Sequence, residues 1–171
     1  MNFLPELRNA INERDNGIIM NRINQLFEQK KGNILSVYFT AGFPKLDDTL
    51  PVLKSLQANG VDLVEIGIPF SDPMADGIVI QNSGQQALKN GMSIRKLFDQ
   101  LTEVREHIHI PLVMMGYLNP IIQFGFEDFC RECSRVGVDG MIVPDLPMSD
   151  YLAEYKEVTE RYGLEFIFLI T

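Results

Sequence analysis

Short apolar runs alternate with amphipathic stretches along most of this chain. The apolar runs predict five β-strands, at 34–39, 63–67, 111–116, 139–143 and 165–170. Between the runs, apolar residues recur at helical spacing, and the clearest stripe joins Ile94, Leu97 and Leu101. Strands that alternate with helices in this way indicate a parallel α/β architecture.

The predicted helices carry residues that are typical of helix ends. Gly60 and Gly137 each follow a helical stretch, where a left-handed C-cap favours glycine. Ser93 and Ser149 are predicted to cap the starts of two helices. The third strand leads into the segment 117–120, for which no helix is predicted.

One carboxylate interrupts the second apolar run. Alternation along this strand places Glu65 on one face with Leu63 and Gly67. A carboxylate in a strand core costs free energy unless it has a task or a partner, and the segment that follows, 68–77, is acidic and rich in turn residues. Because α/β barrels place catalytic groups at the C-terminal ends of their strands, Glu65 is a candidate catalytic residue. A structural carboxylate bonded to loop amides is the alternative.

An internal repeat favours a barrel over other parallel folds. The sequence NGVDLVEIG at 59–67 resembles VGVDGMIVP at 136–144, and YGLEFI at 162–167 follows the same plan. Each copy gives the end of a helix, a capping glycine, an apolar residue, a carboxylate and a strand. A doubly wound sheet more often carries a glycine-rich phosphate turn after its first strand, and neither G-x-G-x-x-G nor a Walker lysine is present. We therefore predict an incomplete TIM (β/α)8 barrel with about five parallel β/α units.

Length and charge narrow the classes of function. The 171 residues fit one domain and are fewer than the roughly 250 of a complete eightfold barrel. A formal net charge of −8 leaves no basic stripe for phosphates, which argues against nucleic-acid binding. No apolar run reaches the roughly 18 residues of a membrane span, so no membrane partner is predicted.

The two cysteines, Cys130 and Cys133, have the C-x-x-C spacing of some zinc and redox sites. No second pair accompanies them, and they share helical spacing with Phe126 and Phe129. This spacing favours a buried helix face over a metal site. Two unpaired cysteines also fit a reducing cytosol, which predicts a cytoplasmic protein.

Four motifs carry a resemblance to a known family. They are YFTAGFP at 38–44, VEIGIPFSDPMADG at 64–77, MGYLNP at 115–120 and VPDLP at 143–147. With these motifs, the chain from residue 20 to 171 resembles the N-terminal part of the tryptophan synthase α subunit. The resemblance implies a (β/α)8 barrel that cleaves indole-3-glycerol phosphate to indole and glyceraldehyde 3-phosphate. It also implies an α2β2 assembly in which a pyridoxal-phosphate-dependent β subunit receives the indole.

The resemblance assigns catalytic roles to two carboxylates. Glu65 matches the acid–base residue of the family, and Asp76 matches the residue that accepts a hydrogen bond from the indole N–H. Retro-aldol cleavage needs such a pair, because C3 of the indole must gain a proton and a glycerol hydroxyl must lose one. The chemistry requires neither a metal nor an organic cofactor.

Binding roles also follow from the resemblance. The residues implied to line the substrate pocket are Tyr38, Met115, Tyr117 and Ile142, with ordinary barrel core as the alternative. The residues of the loop implied to face the β subunit are Pro69, Ser71, Asp72 and Pro73.

The chain departs from the family pattern in three respects. Residues 1–19 precede the usual family start and form an N-terminal extension. Ile78 stands where the family usually has proline, and Phe43 where it often has aspartate. The match ends after the fifth strand, so the last three units, with the phosphate-binding turns, are not matched. We therefore expect residues 20–171 to be the N-terminal part of one barrel domain and to lack activity alone. The alternatives are a non-catalytic partner of a β subunit and another phosphate-binding barrel.

Overall fold

Five strands form one parallel sheet in the computed structural model, which describes residues 20–170. The strands are β1 (Ser36–Thr40), β2 (Leu63–Gly67), β3 (Leu112–Met115), β4 (Gly140–Ile142) and β5 (Glu165–Phe166). Each strand pairs in parallel with the next strand along the chain, in the order β1-β2-β3-β4-β5. The predicted parallel α/β architecture is therefore confirmed. The predicted N-terminal extension lies outside the described residues.

Helices connect the strands. They are α1 (Arg22–Gln29), α2 (Thr49–Ala58), α3 (Ile78–Lys89), α4 (Ile94–Gln100), α5 (Leu118–Phe124), α6 (Phe126–Val136) and α7 (148–161). Helix α7 contains a π-helical stretch, Tyr151–Tyr155, between two α-helical pieces. Short 3-10 turns lie at Leu46–Asp48 and Val104–Glu106.

Three predicted helix ends are confirmed, including Gly60, which follows α2 with a φ of 81°, and one is wrong. Ser93 Oγ accepts a hydrogen bond from the Lys96 amide at 3.2 Å, as an N-cap should, and Gly137 ends α6 with a φ of 81°. Ser149 is not an N-cap, because α7 begins one residue earlier, after Pro147. The Ser149 hydroxyl instead donates to the neighbouring carboxylate of residue 150 at 3.0 Å.

The last predicted strand is too long, and one helix was missed. Strand β5 ends at Phe166, because its ladder with β4 includes only Gly140 and Met141. Helix α5 occupies most of the segment 117–120 and extends beyond it. Asp145, on the following β/α loop, stabilises the start of α5 by accepting a bond from the Leu118 amide at 2.9 Å.

The two faces of the sheet bury different clusters of side chains. Val64 and Ile66 point outward into the main core, between the sheet and the flanking helices, and both are fully buried. Leu63 points to the inner face, where it packs with Val113 and Ile142 in a smaller cluster. The predicted alternation along β2 is therefore confirmed, and Glu65 lies on the inner face.

Helix α1 covers the inner face at the N-terminal ends of the strands. Its Ile23 belongs to the smaller cluster and is 6% exposed. Polar contacts fix the helix at both ends, since Arg22 pairs with Asp139 at 2.9 Å and Lys30 pairs with Asp62 at 2.6 Å. The N-terminal end of the sheet is thereby closed, which leaves the C-terminal end for a site.

A glycine in β4 makes room for this helix. A Cβ on Gly140 would lie 2.9 Å from Ile23 Cδ1 and 2.7 Å from the Glu165 carbonyl oxygen. We expect Gly140→Ala to lower the free energy of unfolding by roughly 1–3 kcal/mol, as overpacking does. Chemical denaturation measures this loss. Gly32→Ala is the matched control, because nothing lies within 4 Å of that position; equal losses in both variants would contradict the prediction.

The aspartates of the two Gly-Val-Asp segments make the same kind of hydrogen bond. Asp62 accepts a bond from the Leu35 amide at 2.8 Å, and Asp139 accepts one from the Leu112 amide at 2.8 Å. Each acceptor lies 27 residues after its donor, so each aspartate ties the start of its own strand to the start of the preceding one. This shared role explains the sequence repeat physically.

Asp139 differs from Asp62 in its burial. The Asp139 side chain is 3% exposed and pairs with the guanidinium of Arg105, which is itself 18% exposed. Arg105 also donates to the backbone carbonyls of Gly137, Ile108 and Ile110. Burial lowers the pKa of Arg105 to about 10, although the Asp139 charge opposes that shift.

Candidate active site

A depression lies at the C-terminal end of the sheet, opposite α1. About 240 Å³ of empty space, part of it open to solvent, separates its walls. Strand β1, the loop 68–77, helix α3 and the start of α5 supply these walls. Five of the predicted site residues line it, namely Tyr38, Pro69, Pro73, Asp76 and Tyr117.

Tyr38 reaches the depression by lying across a glycine on the neighbouring strand. The register pairs Thr40 with Gly67, and a Cβ on Gly67 would overlap the Tyr38 hydroxyl. Glycine at this position therefore lets the ring cross the inner face. Burial raises the pKa of Tyr38, and the charges of Asp76 and Glu65 add to that shift, so the hydroxyl keeps its proton at neutral pH.

Tyr117 stabilises the loop that carries Asp76. Its hydroxyl accepts a hydrogen bond from the Ala75 amide at 3.0 Å, and its ring packs on Phe70 with the centroids 5.3 Å apart. Burial raises the pKa of Tyr117, and the negative charge of Asp76 raises it further. Because Gln81 also donates to the Asp76 carbonyl at 2.8 Å, the Asp76 backbone is held at the start of α3.

Glu65 lies on the inner face of β2, beside Tyr38 in the register of the sheet. The side chain is half-buried and accepts a hydrogen bond from Ser36 Oγ at 2.6 Å. Glu65 is not among the residues that line the depression, but its charge acts on the Tyr38 hydroxyl as that of Asp76 does. Tyr38 is thus the register partner of Glu65 and lines the same depression as Asp76.

The remaining predicted residues lie outside the walls of the depression. Met115 and Ile142 point to the inner face and pack in the smaller cluster, where Ile142 is 4% exposed. Ser71 and Asp72 are exposed, and the Ser71 hydroxyl donates to the Asp72 carboxylate. Pro69, by contrast, is buried.

Two hydroxyl residues at this site were not predicted. Thr40 lines the depression, and its Oγ1 lies 2.7 Å from Ser83 Oγ on α3. The two residues are 43 positions apart, and Ser83 falls within an ordinary helical stretch. Thr40 was noted only as part of the motif 38–44, directly after the first predicted strand, and no sequence signal pointed to Ser83.

The cysteine pair lies on a buried helix face, as predicted. Cys130 and Cys133 are fully buried in α6. Burial raises the pKa of Cys130 to about 12, with a further contribution from Glu127, and it also raises the pKa of Cys133. Over residues 20–170, no group of three histidine, cysteine, aspartate or glutamate side chains is arranged to hold a metal ion.

No helix in the described part of the chain is both long and apolar enough to cross a membrane.

Comparison with known proteins gives consistent matches along the chain. The family model described as tryptophan synthase alpha chain matches residues 24–171. The tryptophan synthase alpha chain of Parabacteroides distasonis is 61% identical over 152 residues, and that of Bacteroides thetaiotaomicron is 60% identical over the same length. Both alignments cover 89% of this chain and 59% of the relative. The chain thus spans about three fifths of the length of these curated relatives.

Solved structures give the same picture. A crystal structure of tryptophan synthase subunit alpha from Legionella pneumophila superposes with a TM-score of 0.84 at 37% identity, covering 88% of this chain and 59% of that one. An aminoacrylate-bound tryptophan synthase from M. tuberculosis gives a TM-score of 0.81 at 28% identity, covering 88% of this chain and 62% of that one.

Proposed function

This chain belongs to the tryptophan synthase alpha chain family, and we propose that it is the N-terminal part of a lyase of tryptophan biosynthesis. The proposed reaction is the retro-aldol cleavage of indole-3-glycerol phosphate to indole and glyceraldehyde 3-phosphate. The observation that supports it is that Tyr38 pairs with Glu65 in the register of a parallel sheet and lines one depression with Asp76. We propose a cytoplasmic location.

Each carboxylate has a step to perform in this reaction. Glu65 would transfer protons at the bond that breaks, giving one to C3 of the indole and taking one from a glycerol hydroxyl. Asp76 would accept the indole N–H and stabilise the positive charge that develops on the ring nitrogen. Tyr117 supports the second role, because its hydroxyl holds the adjacent Ala75 amide and so positions the loop.

The loop 68–77 also carries the proposed partner surface. Ser71 and Asp72 are exposed beside the depression, where a β subunit could contact them. Residues 20–171 would form one barrel domain together with further β/α units. A second candidate is a non-catalytic partner that binds a β subunit through the exposed Ser71 and Asp72 without turnover.

A chimera tests the proposed activity directly. Residues 1–171 are joined to the remaining part of the Parabacteroides distasonis relative, and indole release from indole-3-glycerol phosphate is measured. We expect turnover by the chimera. A folded chimera that releases no indole would contradict the proposed function, and capture of a β subunit by such a chimera would favour the non-catalytic candidate.

The 171-residue polypeptide is measured beside the chimera in the same assay. Among the described residues, β1 and β5 are the edge strands of the sheet, and their unpaired backbone groups can join other chains. We expect this polypeptide to form oligomers in size-exclusion chromatography and to release no indole above background. Turnover by a monodisperse monomer would overturn this expectation.

Asp76→Asn is expected to reduce indole release by the chimera roughly 10- to 100-fold, the scale of a hydrogen bond to a charged group. Its unfolding midpoint should change little, since Asp76 lies in a half-exposed loop position. Asp72→Asn is the matched control, because Asp72 is exposed and does not line the depression. It should leave cleavage intact and weaken coupling to a β subunit. Equal losses of cleavage would argue against a specific role for Asp76.

A further inference from the structure

Three hydroxyl groups form a row from the depression into the protein interior. The Tyr38 hydroxyl lies 3.5 Å from Thr40 Oγ1, at the outer limit of a hydrogen bond. Thr40 Oγ1 lies 2.7 Å from Ser83 Oγ, which in turn donates to the Ile80 carbonyl at 2.9 Å. Thr40 and Ser83 are 5% and 8% exposed, so water has little access to the inner two hydroxyls.

The carbonyl at the inner end determines the direction of every bond in the row. A carbonyl only accepts, and a hydroxyl has a single hydrogen to donate. Ser83 uses its hydrogen on Ile80, so Thr40 must donate to Ser83. Thr40 then presents only lone pairs to Tyr38, and the Tyr38 hydrogen is directed toward Thr40. The free lone pair of the Tyr38 oxygen remains for a ligand in the depression.

The surroundings of this oxygen favour a ligand that donates hydrogen bonds. Asp76, the charged residue of the walls, is an acceptor when ionised, as is Glu65 on the adjacent strand. A ligand that carries N–H and O–H groups would satisfy these oxygens, whereas an acceptor-rich ligand would leave them unpaired.

We propose that Thr40 and Ser83 are positioning residues, which fix the Tyr38 hydroxyl as an acceptor for an O–H donor of the bound ligand. This inference rests on the proposed function, in which Asp76 accepts the single indole N–H and the glycerol hydroxyls remain as donors for Tyr38. The Tyr38 oxygen adds to the ligand specificity that the carboxylates provide. An uncharged acceptor with a fixed direction bonds only to a donor that lies in the matching position.

A double-mutant cycle in the chimera tests this role. Tyr38→Phe should lower kcat/KM for indole-3-glycerol phosphate roughly three- to tenfold, the scale of one neutral hydrogen bond. Thr40→Val should cause a similar loss alone but no further loss in the Tyr38→Phe background, because its effect passes through Tyr38. Thr40→Ser should recover most of the loss, and Ser83→Ala should resemble Thr40→Val. Unfolding midpoints are measured for every variant.

Thr102→Val is the matched control, since Thr102 is exposed and its hydroxyl donates to the Phe98 carbonyl within its own turn. It should leave kcat/KM unchanged. If Thr40→Val costs as much in the Tyr38→Phe background as in the wild type, Thr40 is merely structural and the proposal is overturned. A Tyr38→Phe chimera as active as the wild type also overturns it.

Indole binding identifies the donor. The chain has no tryptophan, so the fluorescence of added indole can be followed without tryptophan background from residues 1–171. A loss of kcat/KM in Tyr38→Phe with unchanged indole affinity supports a bond to a glycerol hydroxyl. A loss of both quantities would assign the bond to the ring N–H and overturn the proposal. A wild-type chimera without turnover would contradict the proposed function itself, whereas unchanged values for Tyr38→Phe in an active chimera overturn only the role of the hydroxyl.

Discussion

Glu65→Gln is expected to reduce indole release by the chimera by at least about two orders of magnitude, the usual scale for loss of a positioned proton-transfer group. Glutamine has nearly the same shape and can still accept the hydrogen bond from Ser36 Oγ. The substitution therefore removes the transferable proton while keeping the packing on the inner face. Substrate affinity should change much less than turnover, and single-turnover kinetics separates the two quantities.

Glu165→Gln is the matched control for this prediction. Glu165 opens β5, and its carboxylate accepts a bond from Asn24 at 2.7 Å near α1, at the opposite end of the sheet. Its substitution should leave turnover within about twofold of the wild type, because surface changes away from a site have small effects. Near-normal turnover in Glu65→Gln would remove Glu65 from the mechanism and favour the structural alternative, a carboxylate retained for its bond to Ser36.

The second large effect concerns stability. Asp139→Ala should lower the free energy of unfolding by roughly 3–5 kcal/mol, the cost of removing one partner of a buried ion pair. Arg105 would keep its charge without a carboxylate, and the Leu112 amide would lose its acceptor. Chemical denaturation of the chimera measures the change. A lower denaturation midpoint, with the same dependence of the unfolding free energy on denaturant concentration as in the wild type, would identify a loss of stability.

The internal repeat offers a control for this substitution. Asp62 occupies the equivalent position but pairs with Lys30, which is 39% exposed, and exposed pairs contribute little. Asp62→Ala should therefore be clearly less damaging than Asp139→Ala. Similar losses in the two variants would mean that the bond to the preceding strand matters more than the buried guanidinium.

Most of the fold followed from local patterns in the sequence. Alternation along β2 gave its bounds and both of its faces, because one face meets helices and the other meets the inner cluster. The five-unit part of a (β/α)8 barrel is confirmed by the strand order and by the superposition on family structures. The errors arose where distant residues decide. Helix α5 depends on Asp145 for its first amide, and β5 is limited to the two residues that pair with β4.

The candidate site was less accessible to prediction. The resemblance gave Glu65 and Asp76, and the structure adds that Tyr38 pairs with Glu65 in register and lines a depression with Asp76. The contacts of Thr40 with Ser83 and of Tyr117 with Ala75 join residues more than forty positions apart. Such contacts depend on how a helix or loop packs against a strand end, which no periodicity along the chain reports.

The hydrogen bonds of Asp62 and Asp139 at the strand starts have a consequence for how the chain folds. Each strand pairs with the strand before it in the chain, and the bonds of Asp62 and Asp139 span only 27 residues. A polypeptide emerging from the ribosome can therefore lock each unit onto its predecessor before the next one is made. Low sequence separation between partners also speeds folding. We infer that the sheet grows in one direction, from β1 onward, during synthesis.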